Sequence, residues 1–500
     1  MDTILILDIG TSNIRGVLFN EEGEIVYRTS IKNIPDYLSK IRVEQKPEKY
    51  REKIVQVTEK CVAYAKSNAY TISCISTTAL RTCVMLVKED GTPVSDIIMW
   101  QDKRAEEICL ELRESEELVY QCTGTRIHPV FVGPKILWMK KYWPEAYADS
   151  DRIVTVADDI HHMITGKWVT DYTYGSRTSL MNIKTLKWDP QMLKLFGVRE
   201  EMLCELVEQG SIIGTVQESF AEKTGLKCGI PVVSAGGDQN CGALGSGVVG
   251  EGLAQLTTGS GAYLIVCSDS PKLDKNKRFL CNMAAVKGKY IVEASMLSSA
   301  ILYEWFYDNF YTESQGDMTS TINAEAEKSR PGAGGMIVLP YFQGRGCPDW
   351  NTRATGSFLN VTMHNSRGDF ARALLEGIAM ESAENLEIIE EYTGTLDKIY
   401  LGGGMTKSSL FNQIQADTAN RTFSLNKNEE TTALGAFISA AAATGLVSSC
   451  QEGRKFIRGT QCVYRPNSEN QKYYQEIRCE RQRLYQALYQ QELGAERADK

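Results

Sequence analysis

One pattern occurs in both halves of the chain and constrains its fold more than any other feature. An apolar strand leads into a short turn of glycine and hydroxyl residues, and a second apolar strand follows. The first copy lies in residues 3–19 and the second in residues 254–266. Such hairpins alternate with helical segments, for example residues 47–68, as is typical of α/β lobes with mixed sheets. The pattern predicts an internal duplication in which two hairpins face one cleft between two lobes.

The turn of each copy has the composition of a phosphate-binding loop. In the first copy Asp8 ends the strand, and the turn that follows consists of Gly10, Thr11 and Ser12. Glycine lets the backbone approach an anion closely, successive amide groups can form an anion nest, and hydroxyl groups add donors. Asp8 is predicted to hold Mg²⁺ through water, because Mg²⁺ keeps much of its hydration shell. The second copy offers Thr258 and Gly259, and an ordinary polar hairpin turn is the structural alternative for both.

A glycine-rich stretch places Asp238 directly after the apolar run of residues 230–235. Phosphorylation of an alcohol needs an acceptor at the hydroxyl group, and small neighbours let a substrate reach this carboxylate. The helix predicted to follow favours its ionised form through the positive field at a helix N-terminus. Asp238 is therefore predicted to be a catalytic base, with Gln239 beside it at the substrate. A helix-capping aspartate is the structural alternative, and the two roles are compatible.

A tryptophan beside charged residues suggests where a polyol would bind. Trp100 and Asp102 lie in the segment Trp-Gln-Asp-Lys-Arg, which ends a short apolar run. An aromatic face covers C–H bonds while charged groups take hydroxyl groups. Arg81 and Thr82 end a neighbouring strand and are predicted to line the same pocket. The alternative for Trp100 is a core residue next to a surface ion pair.

A glycine cluster precedes the helix predicted at residues 408–419. Small residues at this position can admit a flat adenine ring and an α-phosphate, and the predicted contacts are Gly403, Gly404 and Met405. Asn412, on the helix itself, is predicted to contact the base. The alternatives are a tight strand-to-helix turn for the glycines and a solvated amide for Asn412.

Composition excludes several other classes of protein. The net charge of -8 and the pI of about 5.4 leave no basic excess for binding nucleic acid. No apolar stretch is long enough to span a membrane and no targeting segment is recognisable, so a cytoplasmic location is expected. The 14 cysteines form no CxxC pair and only 4 histidines occur, which argues against a disulfide framework or a zinc site.

Taken in order, these motifs resemble the FGGY family of carbohydrate kinases over nearly the whole chain, from Leu5 to about Gly445. Each motif is weak alone, but the ordered set is specific. The segments that carry the resemblance are DIGTSNIRGVLF, WQDKR, TGTRIHP, GGDQNCGALGSG, TTGSGA, RALLEGIA, LGGGMTKSSLFNQIQAD and EETTALGAF.

The resemblance implies an α/β fold of two actin-like, ribonuclease H-like lobes with a nucleotide and substrate cleft between them. Residues 1–249 would form the lobe that carries substrate and base, residues 250–450 the nucleotide-binding lobe, and residues 451–500 a helical extension. In this family Asp238 would be the base, Asp8 would face Mg²⁺, and the two turns would hold the phosphates of ATP. The adenosine would lie against Gly403, Gly404, Met405 and Asn412. A homodimer is a further expectation of the family.

The expected reaction is ATP-dependent phosphorylation of a sugar, sugar acid or polyol, and the resemblance leaves the substrate open. Thr82 and Val130 depart from the glycerol kinase pattern, whereas Leu80 and Arg81 depart from that of gluconate and xylulose kinases. Arg81 alone favours an acidic or strongly oxygenated substrate. An actin- or chaperone-like ATPase and a non-catalytic sugar sensor are the alternative functions. Asp238, Gln239 and the Trp100 pocket favour the kinase, because a conformational ATPase needs no polyol site.

Overall fold

The computed structural model describes residues 1–313, 316–428 and 430–495, which form two large mixed sheets flanked by helices. The strands are β1 (Asp2–Ile9), β2 (Asn13–Asn20), β3 (Ile25–Lys32), β4 (Asp36–Tyr37), β5 (Val43–Gln45), β6 (Thr71–Ala79), β7 (Val84–Val87), β8 (Ile97–Ile98), β9 (Arg152–Thr155), β10 (Val169–Asp171), β11 (Met181–Asn182), β12 (Lys187–Trp188), β13 (Glu205–Val207), β14 (Ser211–Thr215), β15 (Pro231–Gly237), β16 (Leu253–Thr258), β17 (Ala262–Ser268), β18 (Leu280–Met283), β19 (Tyr290–Met296), β20 (Ile337–Leu339), β21 (Ser357–Leu359), β22 (Lys398–Gly402), β23 (Phe423–Asn426) and β24 (Thr460–Tyr464). The α-helices are α1 (Pro47–Ser67), α2 (Glu106–Glu111), α3 (Glu116–Thr123), α4 (Val132–Tyr142), α5 (Pro144–Asp149), α6 (Val156–Thr165), α7 (Tyr172–Gly175), α8 (Pro190–Phe196), α9 (Glu218–Thr224), α10 (Asp238–Ser246), α11 (Ala300–Phe310), α12 (Met318–Ala326), α13 (Arg367–Thr393), α14 (Ser409–Ala419), α15 (Thr431–Ala443) and α16 (Ser468–Ala495). Short 3-10 helices lie at Arg113–Ser115, Glu200–Met202, Ala333–Gly335, Gly404–Lys407 and Glu452–Phe456.

The first lobe is built on a six-stranded sheet in the order β14-β15-β6-β1-β2-β3. Strands β1, β2 and β3 form an antiparallel meander, while β6 lies parallel to β1 and β15 lies parallel to β6. Seven of the eight residues of β1 are buried, as expected of a central strand that is covered on both faces. A smaller five-stranded sheet, β4-β5-β8-β7-β9, carries the segment that leads into Trp100.

The second lobe repeats the pairing scheme of the first. Its seven-stranded sheet has the order β18-β19-β17-β16-β22-β23-β24. Strand β16 pairs antiparallel with β17 and parallel with β22, as β1 does with β2 and β6. The duplication predicted from the two hairpins is therefore present at the level of topology. The sheets differ at both edges: β18 adds a seventh strand beside β19, and β24 follows β23 in the chain whereas β14 precedes β15.

The two lobes meet where helices α10 and α15 cross at glycine residues. A Cβ atom on Gly245 would lie 1.9 Å from the carbonyl oxygen of Thr431, and one on Gly435 would lie 1.8 Å from that of Cys241. Helix α15, which follows a strand of the second lobe, also packs on the first sheet, where Ser76 Oγ donates to the carbonyl of Ala436 at 3.0 Å. One helix from each lobe thus forms a shared core.

The C-terminal segment, predicted as a helical extension, contributes both a strand and a helix to the second lobe. Strand β24 pairs with β23, and α16 is held by Arg481, whose guanidinium donates to Tyr341 Oη at 2.7 Å and to Glu384 at 3.0 Å. Arg481 also pairs with Glu381. Residues 496–500 of the predicted extension lie outside the described residues. Within the part of the chain that is described, no helix is both long and apolar enough to cross a membrane.

A buried histidine in α6 predicts acid sensitivity of the first lobe. The ring nitrogens of His161 lie 3.1 Å from Thr77 Oγ1 and 3.0 Å from the carbonyl oxygen of Val169, and burial lowers the pKa of His161 to about 4. Between pH 6.5 and 4 the unfolded chain binds a proton that the folded imidazole does not. The free energy of unfolding therefore falls as the pH falls, by at most about 1.4 kcal/mol per pH unit. Urea unfolding at pH 7, 5.5 and 4.5 measures this slope, and His161→Gln should flatten it. Equal slopes in the two proteins would contradict the prediction.

Candidate active site

The first predicted phosphate loop joins β1 to β2 and keeps Asp8 beside an arginine. Gly10 donates its backbone N–H to the carbonyl of Asn13 at 3.0 Å, which closes the turn, and Ser12 is exposed at its tip. The Asp8 side chain is only 4% exposed, and Arg15 Nη1 donates to its Oδ2 at 3.1 Å. Burial raises the pKa of Asp8 to about 6, opposed by Arg15 and reinforced by the charge of Asp238. Two carboxylates therefore act on one another at this end of β1.

Asp238 occupies the first turn of α10, directly after β15. Gly237 is the residue before the helix, so Asp238 does not cap it, and its Oδ1 instead accepts the N–H of Gln239 at 2.7 Å. The carboxylate is 27% exposed and lies 3.7 Å from Arg81 Nε. Burial raises the pKa of Asp238, while Arg81 opposes that rise. This carboxylate is thus partly open, close to a fixed cation and more basic than a free aspartate.

Buried polar contacts behind Asp238 hold the strand end in place. Thr173 Oγ1 accepts the N–H of Gly237 at 2.9 Å and donates to Asp171, whose other oxygen accepts from Ser234 Oγ at 2.5 Å. These supporting residues were not among the site residues predicted from the sequence. Ser234 lies on the same strand that leads to Asp238, whereas Asp171 and Thr173 are distant along the chain and only folding brings them here.

Trp100 connects the predicted substrate pocket to the first phosphate loop. Its Nε1 donates to Thr11 Oγ1 at 2.9 Å, and its backbone N–H points to Cys83 Sγ at 3.2 Å. The half-buried ring is therefore fixed between two elements of the first lobe. Gln239 is also half-buried, next to Asp238.

Asp102 supports this region from beneath, which corrects its predicted contact with substrate. Its side chain has 0% exposure and pairs with Arg104 at 2.6 Å, while Oδ2 also accepts the N–H of Val43 at 2.7 Å. The other oxygen, Oδ1, accepts hydrogen bonds from the backbone N–H and the Nε–H of Arg104, so both carboxylate oxygens are occupied. No surface of this carboxylate is left for a substrate hydroxyl.

Thr82 is buried with a positive φ of 63°, and a buried lysine holds its backbone. Lys135 Nζ donates to the carbonyls of Thr82 at 2.8 Å, Met99 at 2.9 Å and Val130 at 3.3 Å. Burial lowers the pKa of Lys135 to about 8. Lys135 thus ties together three segments near the pocket, and a substrate contact by the Thr82 side chain stays a prediction.

The second predicted loop forms one unit with the glycine cluster near residue 403. Gly259 donates its N–H to the carbonyl of Gly261 at 2.9 Å, and Thr258 Oγ1 donates to that of Gly402 at 3.4 Å. Gly403 has a φ of 88°, and a Cβ there would lie 2.3 Å from the carbonyl oxygen of Thr258. The exposed Gly403 therefore lies directly against the end of β16, and the exposed Gly404 follows it with open space around it.

Met405 and Asn412 are buried behind this glycine cluster. Met405 Sδ lies 3.2 Å from Ser299 Oγ, and Asn412 Nδ2 donates to the carbonyl of Thr406 at 2.8 Å. Asn412 is 0% exposed, so in this structure its amide holds the 3-10 turn that follows Gly403. Contact of either side chain with adenosine stays a prediction.

A buried carboxylate that the sequence predictions missed connects the lobes near Asp238. Glu293, in the middle of the apolar strand β19, accepts from Arg81 Nη1 at 2.8 Å and from Arg177 Nη1 at 3.3 Å. The half-buried ring of Tyr263 lies in the same electrostatic cluster. A single charged residue within a mainly apolar strand was a signal that could have identified Glu293.

The arrangement matches a known family along most of its length. The sequence model for the N-terminal domain of the FGGY family of carbohydrate kinases matches residues 3–245, and that for its C-terminal domain matches residues 254–444. The chain belongs to the FGGY family. This FGGY kinase is an ATP-dependent phosphotransferase that acts on small carbohydrate molecules, and the alternatives of a conformational ATPase and a sugar sensor are not favoured.

Individual relatives agree with the family in length and fold. The chain is 27% identical to a gluconokinase of Bacillus licheniformis, over 94% of this chain and 93% of the relative. It is 30% identical to a glycerol kinase of Koribacter versatilis, over 90% of this chain and 91% of the relative. The solved structure of a xylulose kinase from Lactobacillus acidophilus superposes with a TM-score of 0.93 at 23% identity, covering 98% of both chains. The predicted two-lobed, actin-like α/β fold is thus confirmed.

Gly403→Ala tests whether close packing of the glycine cluster on Thr258 matters for nucleotide binding. The new methyl group meets a backbone oxygen that cannot rotate away, and a positive φ disfavours alanine. Overpacking of this kind costs about 1–3 kcal/mol, so we expect the KM for ATP to rise about tenfold with little change in melting temperature. Gly459→Ala is the matched control, because that exposed glycine has open space around it. Unchanged ATP kinetics in Gly403→Ala would contradict the prediction.

Proposed function

We propose that Asp238 is the general base of this FGGY kinase. The observation that carries the proposal is a carboxylate at the start of α10 that is 27% exposed and lies 3.7 Å from Arg81 Nε. A general base must be reachable by substrate, and its pKa should lie closer to the working pH than that of a free aspartate. The partial exposure of Asp238 and its raised pKa meet both conditions.

In the proposed reaction, a substrate hydroxyl oxygen attacks the γ-phosphorus of ATP. The hydroxyl proton passes to an Asp238 oxygen as the new P–O bond forms. The bond from the γ-phosphorus to the bridging oxygen breaks, and ADP leaves with that electron pair. Trp100, held by Thr11, would cover the C–H face of the substrate, with Arg81 and Gln239 beside Asp238. Closure of the lobes would exclude water and limit wasteful hydrolysis of ATP.

The lobes would divide the two binding tasks between them. The lobe of residues 1–249 would carry substrate and base, and the lobe of residues 250–450 would bind the nucleotide. Its phosphates would lie against the backbone of Gly10, Thr11 and Ser12 in one lobe and of Thr258 and Gly259 in the other. Adenosine would lie against the exposed Gly403, which packs on Thr258, and the exposed Gly404, which has open space around it. The two family matches, residues 3–245 and 254–444, support this division.

The residues present also fit Mg²⁺. Among the described residues, no group of three or more histidine, cysteine, aspartate or glutamate side chains could hold a metal ion. Mg²⁺ needs few protein ligands, since one or two carboxylates, phosphate oxygens and water complete its shell. Asp8 supplies a hard oxygen donor, and a cation there would relieve its repulsion with Asp238. Bound Mg²⁺ would neutralise negative charge on the phosphates during transfer. A homodimer and a cytoplasmic location remain predictions.

Asp238→Asn tests the role of the base. The amide keeps the shape of the side chain but cannot accept the hydroxyl proton, so kcat should fall by about 10²–10⁴-fold. ATP binding, measured by calorimetry, should be retained. Asp96→Asn is a suitable control because Asp96 pairs with Lys46 in an ion pair that none of the proposed site residues joins. If Asp238→Asn still phosphorylates substrate at the wild-type rate, Asp238 is not the base.

Asp8→Asn tests the proposed Mg²⁺ contact. Loss of the carboxylate weakens the attraction for a divalent cation, so the Mg²⁺ concentration that gives half-maximal rate should rise about tenfold. The pKa of Asp8 near 6 also predicts that the wild-type Mg²⁺ requirement grows as the pH falls below 6, because a protonated carboxyl binds Mg²⁺ poorly. Titration of Mg²⁺ at pH 7.5 and 5.5 measures both effects. An identical Mg²⁺ requirement in the variant and the wild type would remove Asp8 from this role.

A further inference from the structure

Four charged side chains meet between the lobes at the substrate end of the proposed site. Arg81 Nη1 lies 2.8 Å from Glu293 Oε2, and Arg177 Nη1 lies 3.3 Å from Glu293 Oε1. Arg81 Nε also lies 3.7 Å from Asp238 Oδ1. These groups are the principal charges that act on one another here. With two guanidinium groups and two carboxylates, the cluster has a formal charge of zero.

Water cannot easily compensate a change in this balance. The Glu293 side chain has 0% exposure, and those of Arg81 and Arg177 have 6% and 7%. Burial by itself would raise the pKa of Glu293, but Arg177 and Arg81 hold that pKa at about 2. Glu293 is therefore ionised at any working pH. Both guanidinium groups already pair with Glu293, so one added negative charge would meet no free cation in this cluster. Its repulsion by the carboxylates would be strong, because charges interact more strongly away from bulk water.

We propose that Glu293 determines substrate charge: by neutralising Arg81 and Arg177 it suits the pocket to an uncharged sugar or polyol and disfavours a sugar acid. The inference rests on the proposed function, since Asp238 marks where the reacting hydroxyl lies. Of the two kinds of substrate expected from Arg81 alone, acidic or strongly oxygenated, it keeps the strongly oxygenated one and disfavours the acidic one, because Glu293 already pairs with the guanidinium. The names of the relatives contain one substrate of each kind, since gluconate carries a carboxylate and glycerol does not. The inference favours a substrate of the uncharged kind.

Unused hydrogen-bond donors in the cluster also suit hydroxyl oxygens. Among the described residues, neither Arg177 Nε nor Asn282 Nδ2 has a hydrogen-bond partner, although both atoms are buried. Asn282 Oδ1 already accepts from Arg177 Nη1 at 3.3 Å. A hydroxyl group can accept from such donors without adding charge, whereas a carboxylate would add one. The free donors therefore fit a substrate oxygen, and the charge balance is what favours a hydroxyl group over a carboxylate.

The first test compares neutral and acidic substrates of equal chain length on the wild-type enzyme. Suitable pairs are glycerol with glycerate, xylitol with xylonate and glucitol with gluconate, supplemented by neutral ketoses, with ATP and Mg²⁺ present. ADP release coupled to NADH oxidation gives kcat/KM for each compound. We expect the best neutral substrate to exceed every acid by about tenfold or more. A best acid that equals or exceeds the best neutral compound overturns the inference.

The second test changes the charge of the cluster in both directions. Glu293→Gln leaves one net positive charge, and the neutral-to-acid ratio of kcat/KM should fall by about tenfold or more. Arg177→Gln leaves one net negative charge and should not lower that ratio. Combining both substitutions restores neutrality and should return the ratio toward the wild-type value. A purely structural role for Glu293 would lower both activities alike and leave the ratio unchanged, which would overturn the inference.

The outcomes separate this inference from the proposed catalytic role. Circular dichroism and thermal unfolding report whether each variant is folded. If Glu293→Gln alone does not fold, the wild-type ratio tests the preferred substrate charge, and Arg177→Gln, which unbalances the cluster in the other direction, should raise the neutral-to-acid ratio; a ratio lowered in Arg177→Gln would overturn the inference. Wild-type phosphorylation that is retained in Asp238→Asn contradicts the proposed base but not the substrate charge. An acid preference contradicts the substrate charge but not the base.

Discussion

The crossing of α10 and α15 is the contact on which the two-lobed arrangement depends. At Gly245 and Gly435 the helix backbones approach so closely that a side chain on either residue would penetrate a backbone group. Backbone atoms cannot rotate away as side chains do, so this distance is available only to glycine. Helix α10 begins with Asp238 and α15 packs on the first sheet. The crossing therefore sets the position of the proposed base relative to the second lobe.

An ion pair also joins the two lobes close to the proposed base, Asp238. The Arg81–Glu293 pair joins the end of β6 to the middle of β19, a contact that neither lobe can form alone. Buried ion pairs of this kind lose hydration on forming and add little net stability. Their value is in orientation, since each charge constrains where the other can lie. In this kinase the pair fixes Arg81 near Asp238 and removes it from the set of free cations.

The two hairpins share one pairing scheme but are held by different contacts. The β1–β2 turn is held through Trp100 and Arg15, both from the first lobe, whereas the β16–β17 turn is held by Gly403 against Thr258. Aromatic and charged contacts on the first turn suit a site that must also receive a polar substrate. Close backbone packing holds the second turn against the glycine cluster, where we propose that adenosine lies. The duplicated topology thus carries different local contacts in the two lobes.

The sequence by itself determined the features that depend on short stretches of chain. The paired hairpins, the placement of Asp8 and Asp238 after buried strands, and the glycine at residue 403 follow from local apolar pattern and turn chemistry. The ordered motifs also determined the family. Only the tertiary structure decided what each charged group faces: Asp102 turns inward to Arg104, and Arg81 meets Glu293 more than two hundred positions later. A charge in a sequence does not reveal what it faces, because folding determines both how deeply a near neighbour such as the Asp102–Arg104 pair is buried and which distant residue, such as Glu293, reaches Arg81.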